Sequence, residues 1–191
     1  VTLIKDDRQQ VPLNVPRETS VLYLSVVDYP SGWRIAAPSR TFIPELKKRW
    51  PNVTAIEVSD HTPASELDLV RTIAPRFGAV VVSVFVRTAS GSGRMDLAPD
   101  LIRLLQGLAR STERSGAPLV TTFFGNPYIA TGLPELPTVL LTYDVYDLPE
   151  AAAVAAIAGE APISGHLPIG LGPAFPVGHG LERPARAAAR P

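Results

Sequence analysis

The sequence predicts a doubly wound α/β domain, a three-layer sandwich built on a mostly parallel sheet of five or six strands. Short apolar runs rich in Val, Ile, Thr and aromatics recur along the chain, and stretches of helical period lie between them. Strand and helix alternate five times, and the strands are continuously apolar rather than alternating, as expected when crossover helices cover both faces.

Taken in order, "VTLIKD" at the start is a strand candidate for an antiparallel edge, and the prolines of "VPLNVP" (Val11–Pro16) mark a connecting loop. Ser20–Asp28, Val53–Ser59, Ala79–Val86, Pro118–Phe124 and Thr138–Tyr143 read as buried strands. Ser39–Trp50, Pro63–Phe77 and Ala98–Gly116 place apolar residues three and four apart with charges between, so they read as amphipathic helices. Ser39 and Asp100 are candidate N-terminal caps, while Gly78 and Gly116 follow C-terminal turns. Pro149–Glu160 closes the alternation. Beyond Gly159 the chain is rich in Pro and Gly and has neither period, so an extended surface loop is expected. A single domain should span 1–182, with 183–191 a disordered tail.

Composition excludes several functions. Among 191 residues, eighteen basic side chains offset eighteen acidic ones, which removes the electrostatic case for a nucleic-acid or anionic-membrane partner. A neutral binder of small molecules or proteins fits better. No cysteine is present, so disulfides, thiolate metal sites and cysteine nucleophiles are out. The longest apolar runs are too short for a bilayer span of roughly 20 residues. The sequence begins with Val and has no signal-peptide pattern, so a processed product or a piece of something longer is expected.

"VTLIKDDRQQVPL" at the start, "FGNPY" after the fourth main strand, "GEAPISGHLPIGL" after the last helix and "FPVGHGLE" near the end come in a telling order. Together they resemble the C-terminal α/β domain of glycoside hydrolase family 3, in its β-N-acetylhexosaminidase branch, over Val1 to about Glu182. The resemblance implies a partner: an N-terminal (β/α)8 barrel that holds the catalytic machinery. It implies that the parent releases terminal N-acetylglucosamine from bacterial wall fragments or chito-oligosaccharides, without a cofactor. Retaining glycosidases need a nucleophile and an acid/base a few ångströms apart, and in this branch both lie on the barrel. "FPVGHGLE" lacks the leading Lys-His of the barrel's histidine segment and carries Val177 in addition. "SDHTP" (Ser59–Pro63) has Asp60 and His61 adjacent rather than separated, and helix capping by Asp60 and Thr62 accounts for it more simply. No catalytic residue is therefore expected in this chain.

Candidate residues facing a barrel or a ligand are Gly125, Asn126, Pro127, Arg87 and Trp33. "FGNP" falls beyond the C-terminal end of a parallel strand, where such sheets meet ligands and partners. Gly125 permits a conformation that a side chain would obstruct, Asn126 can bond its own backbone or a partner, and Pro127 fixes the first turn that follows. A tight structural turn and a rim facing the barrel both fit. Arg87 opens the glycine-rich stretch Arg87–Asp96, a crossover loop able to offer backbone N–H groups to an anion. It is neither a dinucleotide fingerprint nor a P-loop. Trp33 can stack on a sugar ring, or pack against the barrel or its own domain. His61, His166 and His179 lack metal-ligand spacing, so no metal is expected. An independent carbohydrate- or nucleotide-binding α/β module is the alternative reading.

Overall fold

The computed structural model describes residues 1–28, 38–86 and 96–186. Six strands, β1 (Thr2–Asp6), β2 (Val21–Asp28), β3 (Val53–Ser59), β4 (Ala79–Val86), β5 (Leu119–Gly125) and β6 (Thr138–Thr142), form one sheet in the order β1-β6-β5-β4-β2-β3. All neighbours run parallel except β1, which pairs antiparallel with β6 from Thr2↔Leu141 to Asp6↔Thr138. The expected doubly wound sheet with an antiparallel edge is thus observed.

Helices α1 (Phe42–Arg49), α2 (Ala64–Ile73), α3 (Pro99–Ser115) and α4 (Asp147–Ala158) cover the two faces. Because successive side chains alternate across a strand, the pleat feeds two cores. Leu22, Leu24, Val80, Val82 and Val84 pack with Leu67 and Val70 of α2 and Leu101, Leu104 and Leu108 of α3. Val21, Tyr23, Val81, Phe85 and Phe124 pack on the opposite side with Phe42 and Leu46 of α1 and Val154 and Ile157 of α4. Every residue of β4 is buried, as a strand covered on both faces requires. At the far edge, β3 leaves Thr54, Ala55 and Glu57 exposed.

Three expected caps are corrected. Ser39 lies outside α1 in a left-handed conformation at φ 64°, and it does not cap the helix with its side chain. Asp100 sits inside the first turn of α3, where it pairs with Arg103, while the cap position is Ala98. Nor does Thr62 cap α2: its hydroxyl accepts the Ser59 N–H at 2.8 Å and closes the turn before the helix. Gly116 does end α3 in a left-handed conformation, as expected.

The expected surface loop after α4 runs back along β1. Leu181 donates its N–H to Leu3 O at 2.8 Å, and Ile163 and Arg183 form an antiparallel bridge. Gly165 passes so close to the first strand that a Cβ there would stand 2.4 Å from Val1 O. Within the stretch 183–191, Arg183 and Arg186 bond to the rest of the chain. The Arg183 guanidinium meets the fully buried Asp6 carboxylate at 2.8 Å and Val11 O at 3.1 Å, and Arg186 donates its N–H to Gly159 O. A buried carboxylate needs such a partner. Residues 187–191 lie outside the described residues.

Candidate functional site at the ends of β5 and β6

Strand β5 ends at Gly125 with φ 85°, beside its register partner Val86 on β4. A Cβ on Gly125 would stand 3.1 Å from Val86 O and 3.4 Å from a methyl of Val145. Both the left-handed backbone and the close approach demand glycine here. Asn126 Oδ1 then accepts the Tyr128 N–H at 3.0 Å and caps a 3-10 helix, Pro127–Gly132, with Pro127 at its start. The stretch is a capped strand-to-helix turn. Gly125→Val is expected to destabilise the chain by roughly 1–3 kcal/mol, the scale of local backbone strain, and Asn126→Ala by about 1 kcal/mol for a lost cap. Denaturant melts would check both; an unchanged Gly125→Val midpoint would contradict the assignment.

The sheet order sets this turn beside the end of β6. There Thr142 Oγ1 donates to Asp144 O, Asp144 Oδ1 accepts the Val145 N–H, and Tyr143 donates its hydroxyl to Thr2 Oγ1 at 3.1 Å. Tyr128, Tyr143, Tyr146 and Leu148, on the segments after the two strands, are 51%, 44%, 50% and 83% exposed. Large apolar groups this open form a rim able to receive a partner or a ring-shaped ligand. A cavity of about 240 Å³ opens next to it, between Asp96, Leu97 and Ile102 near the start of α3 and Tyr128, Ile129 and Thr131 of the 3-10 helix. The three tyrosines and Leu148 were not singled out by the sequence reading.

Of the residues singled out, Gly125, Asn126 and Pro127 come together in this turn. Arg87 and Trp33 lie outside the described residues, as does most of the glycine-rich stretch. His61 is exposed, with its ring 3.9 Å from Asp60. His166 stands 3.7 Å from Glu182, and His179 Nε2 donates to Ile4 O at 2.8 Å beside the Phe175 ring. The three histidines stay separate. Among the described residues, no group of three or more His, Cys, Asp or Glu is placed to hold a metal ion. No helix among them is long and apolar enough to cross a membrane.

One carboxylate near the rim escaped notice in the sequence. Glu150, in the first turn of α4 and only 1% exposed, accepts N–H bonds from Ser39 at 2.9 Å, Thr41 at 2.8 Å and Phe42 at 2.7 Å. It caps α1 from another helix. Burial pushes its carboxyl above the ordinary range, and the three backbone donors only partly offset that. Next to it Tyr23 OH, Ser39 Oγ and Ser25 Oγ form a buried hydroxyl chain with 2.7 and 2.8 Å links. Burial also raises the Tyr23 hydroxyl above its usual range.

No family model and no curated protein matches the chain. Solved structures do. A fungal multi-domain family 3 β-N-acetylglucosaminidase aligns at TM-score 0.62 and 21% identity over 83% of this chain and 16% of its own. A glycoside hydrolase family 3 β-N-acetylglucosaminidase from Paenibacillus sp. str. FPU-7 aligns at TM-score 0.66 and 17% identity, over 83% of this chain and 28% of its own. β-Glucosidase 3B from Thermotoga neapolitana aligns at TM-score 0.58 and 14% identity, over 88% and 28%. The chain spans less than a third of the length of each of these. Its fold is that of the C-terminal α/β region of glycoside hydrolase family 3 enzymes.

Proposed function

We propose that this chain is the non-catalytic C-terminal domain of a β-N-acetylhexosaminidase-like glycoside hydrolase, which supports a (β/α)8 barrel and borders its substrate cleft. The observation that carries this reading is the open rim of Tyr128, Tyr143, Tyr146 and Leu148 around the Gly125–Asn126–Pro127 turn. Apolar side chains held out on one end of a domain are what separation from a partner domain leaves behind. The neighbours by structure are longer chains in which this fold is a minor part, and two of them are β-N-acetylglucosaminidases. N-acetylglucosamine-containing glycans are therefore the substrate class proposed for the parent. Asp60 and His61 suit a retaining mechanism poorly, since His61 is solvated and, among the described residues, Asp60 alone lies within ion-pair reach of it, which is one carboxyl where two catalytic groups are needed.

The expected result is that the chain alone hydrolyses an aryl N-acetyl-β-glucosaminide at background rate. In the barrel-containing parent, Tyr146→Asp combined with Leu148→Asp should weaken domain association or raise KM, while the isolated variant melts like the wild type. Hydrolysis that follows the pure chain through chromatography and vanishes in Asp60→Ala or His61→Ala would overturn the non-catalytic reading. Wild-type kinetics and association in the double variant would remove the rim from the interface.

A further inference from the structure

A groove of about 430 Å³ lies between α2 and α3, lined by Arg71, Arg110 and Arg114 together with Thr72, Ser111 and Gly107. Crossover helices run against the strand direction, so the last turns of α2 and α3 stand at the opposite end of the sheet from the tyrosine rim. Arg71 pairs with Asp68 at 2.9 Å, but Arg110 and Arg114 meet no carboxylate among the described residues. The undescribed segments 29–37, 87–95 and 187–191 contain no Asp or Glu to supply one. In a chain whose formal charges cancel, this is a local surplus of positive charge.

The placement is specific. Arg110 and Arg114 are four residues apart on one helix face, an arrangement that repels. Gly107 is an unfavourable residue for the middle of a helix, yet a Cβ there would stand 2.5 Å from Arg71 Cδ. Its missing side chain lets the Arg71 stem cross α3 one turn before Arg110. Arg71 and Arg114 lie in last turns, where the carbonyl ends of a helix favour cations. Arg110 lies further back and has no such role. The Thr72 and Ser111 hydroxyls donate to carbonyls of their own helices, which leaves the guanidinium groups of Arg110 and Arg114 as the groove's available donors.

We propose that this groove binds a small molecule carrying a phosphoryl or polyphosphoryl group. Planar guanidinium forks grip such oxygens in bidentate fashion, and the groove has room for more than one phosphate ion. Occupancy here would leave the rim open to its partner.

The test is an NMR titration of the 191-residue chain with inorganic phosphate, pyrophosphate and a hexose 6-phosphate, each against sodium chloride at equal ionic strength. Saturable amide shifts are expected around Gly107, Arg110 and Arg114. Arg110→Gln combined with Arg114→Gln should weaken binding at least about tenfold with the melting temperature unchanged, both side chains being exposed. Tighter binding of pyrophosphate would identify a polyphosphoryl ligand, and tighter binding of the hexose phosphate a phosphorylated sugar. Shifts reproduced by sodium chloride, absent for all three anions, or undiminished in the double variant would overturn the proposal.

Discussion

Val82→Asp is expected to abolish the cooperative fold. Val82 is fully buried in β4, the strand flanked by β2 and β5, and packs into the core beneath α2 and α3. A carboxylate at that position would face, beside apolar side chains, only the single hydroxyl of its register partner Thr121, too few donors to replace its hydration. The loss of apolar contact adds to several kcal/mol for an unpaired buried polar group, against total stabilities of about 5–15 kcal/mol for a domain. The variant should accumulate as aggregate, or lose its denaturant transition when followed by circular dichroism. A soluble Val82→Asp protein melting like the wild type would contradict the central placement of β4.

Glu150→Ala should have the next largest effect. It removes the carboxylate that accepts the N–H groups of Ser39, Thr41 and Phe42. Each buried donor left unpaired costs about 1–3 kcal/mol, so a loss of about 3 kcal/mol or more is expected. At roughly 2–4 °C per kcal/mol for a chain of this size, Tm should fall by about 10 °C. Glu150→Gln keeps one acceptor oxygen and should lose less.

The two variants also separate in their pH response. Because burial raises the Glu150 carboxyl in the folded chain, the fold takes up its proton more readily than the unfolded chain does. That contribution is fully present below the unfolded value of about 4.3 and is lost as pH rises through the raised folded value. Wild-type stability should therefore decline across that window relative to Glu150→Gln. Parallel pH profiles for the two proteins would show that Glu150 does not titrate with folding.

Much of the sheet was legible because its strands carry their own signal. Val53–Ser59 and Ala79–Val86 are runs of β-branched and small residues bounded by Asn52 and Gly78, and the observed strands have those bounds. The first stretch, "VTLIKD", reads as a candidate antiparallel edge strand, and the prolines behind it as a connecting loop. What was illegible depended on contacts between distant parts of the chain. Glu150 sits in an alanine-rich helix where it looks like an ordinary first-turn acid, and its three partners lie more than a hundred residues earlier. The start of α1 was misplaced for the same reason, because its cap comes from α4 rather than from Ser39. In the rim, Asn126 was visible as a turn residue. Tyr143, Tyr146 and Leu148 became neighbours of that turn only through the strand order. Arg183 reads as part of a basic, alanine-rich stretch, and its buried partner Asp6 lies at the other end of the sequence.

The pairing of β1 with β6 bears on the order in which the chain is assembled. β1 is made first but can take its place only beside β6, across a separation that runs from Thr2 to Leu141. The strands from β2 to β5 close over shorter spans, and closing a long loop carries the larger entropic cost. β1 therefore joins a sheet already formed, and the returning segment through Leu181 and Arg183 can lock only after β1 is present, since its bonds go to Leu3 and Asp6. By loop-closure entropy alone this edge is expected to be a latch, the last part of the sheet to close on folding.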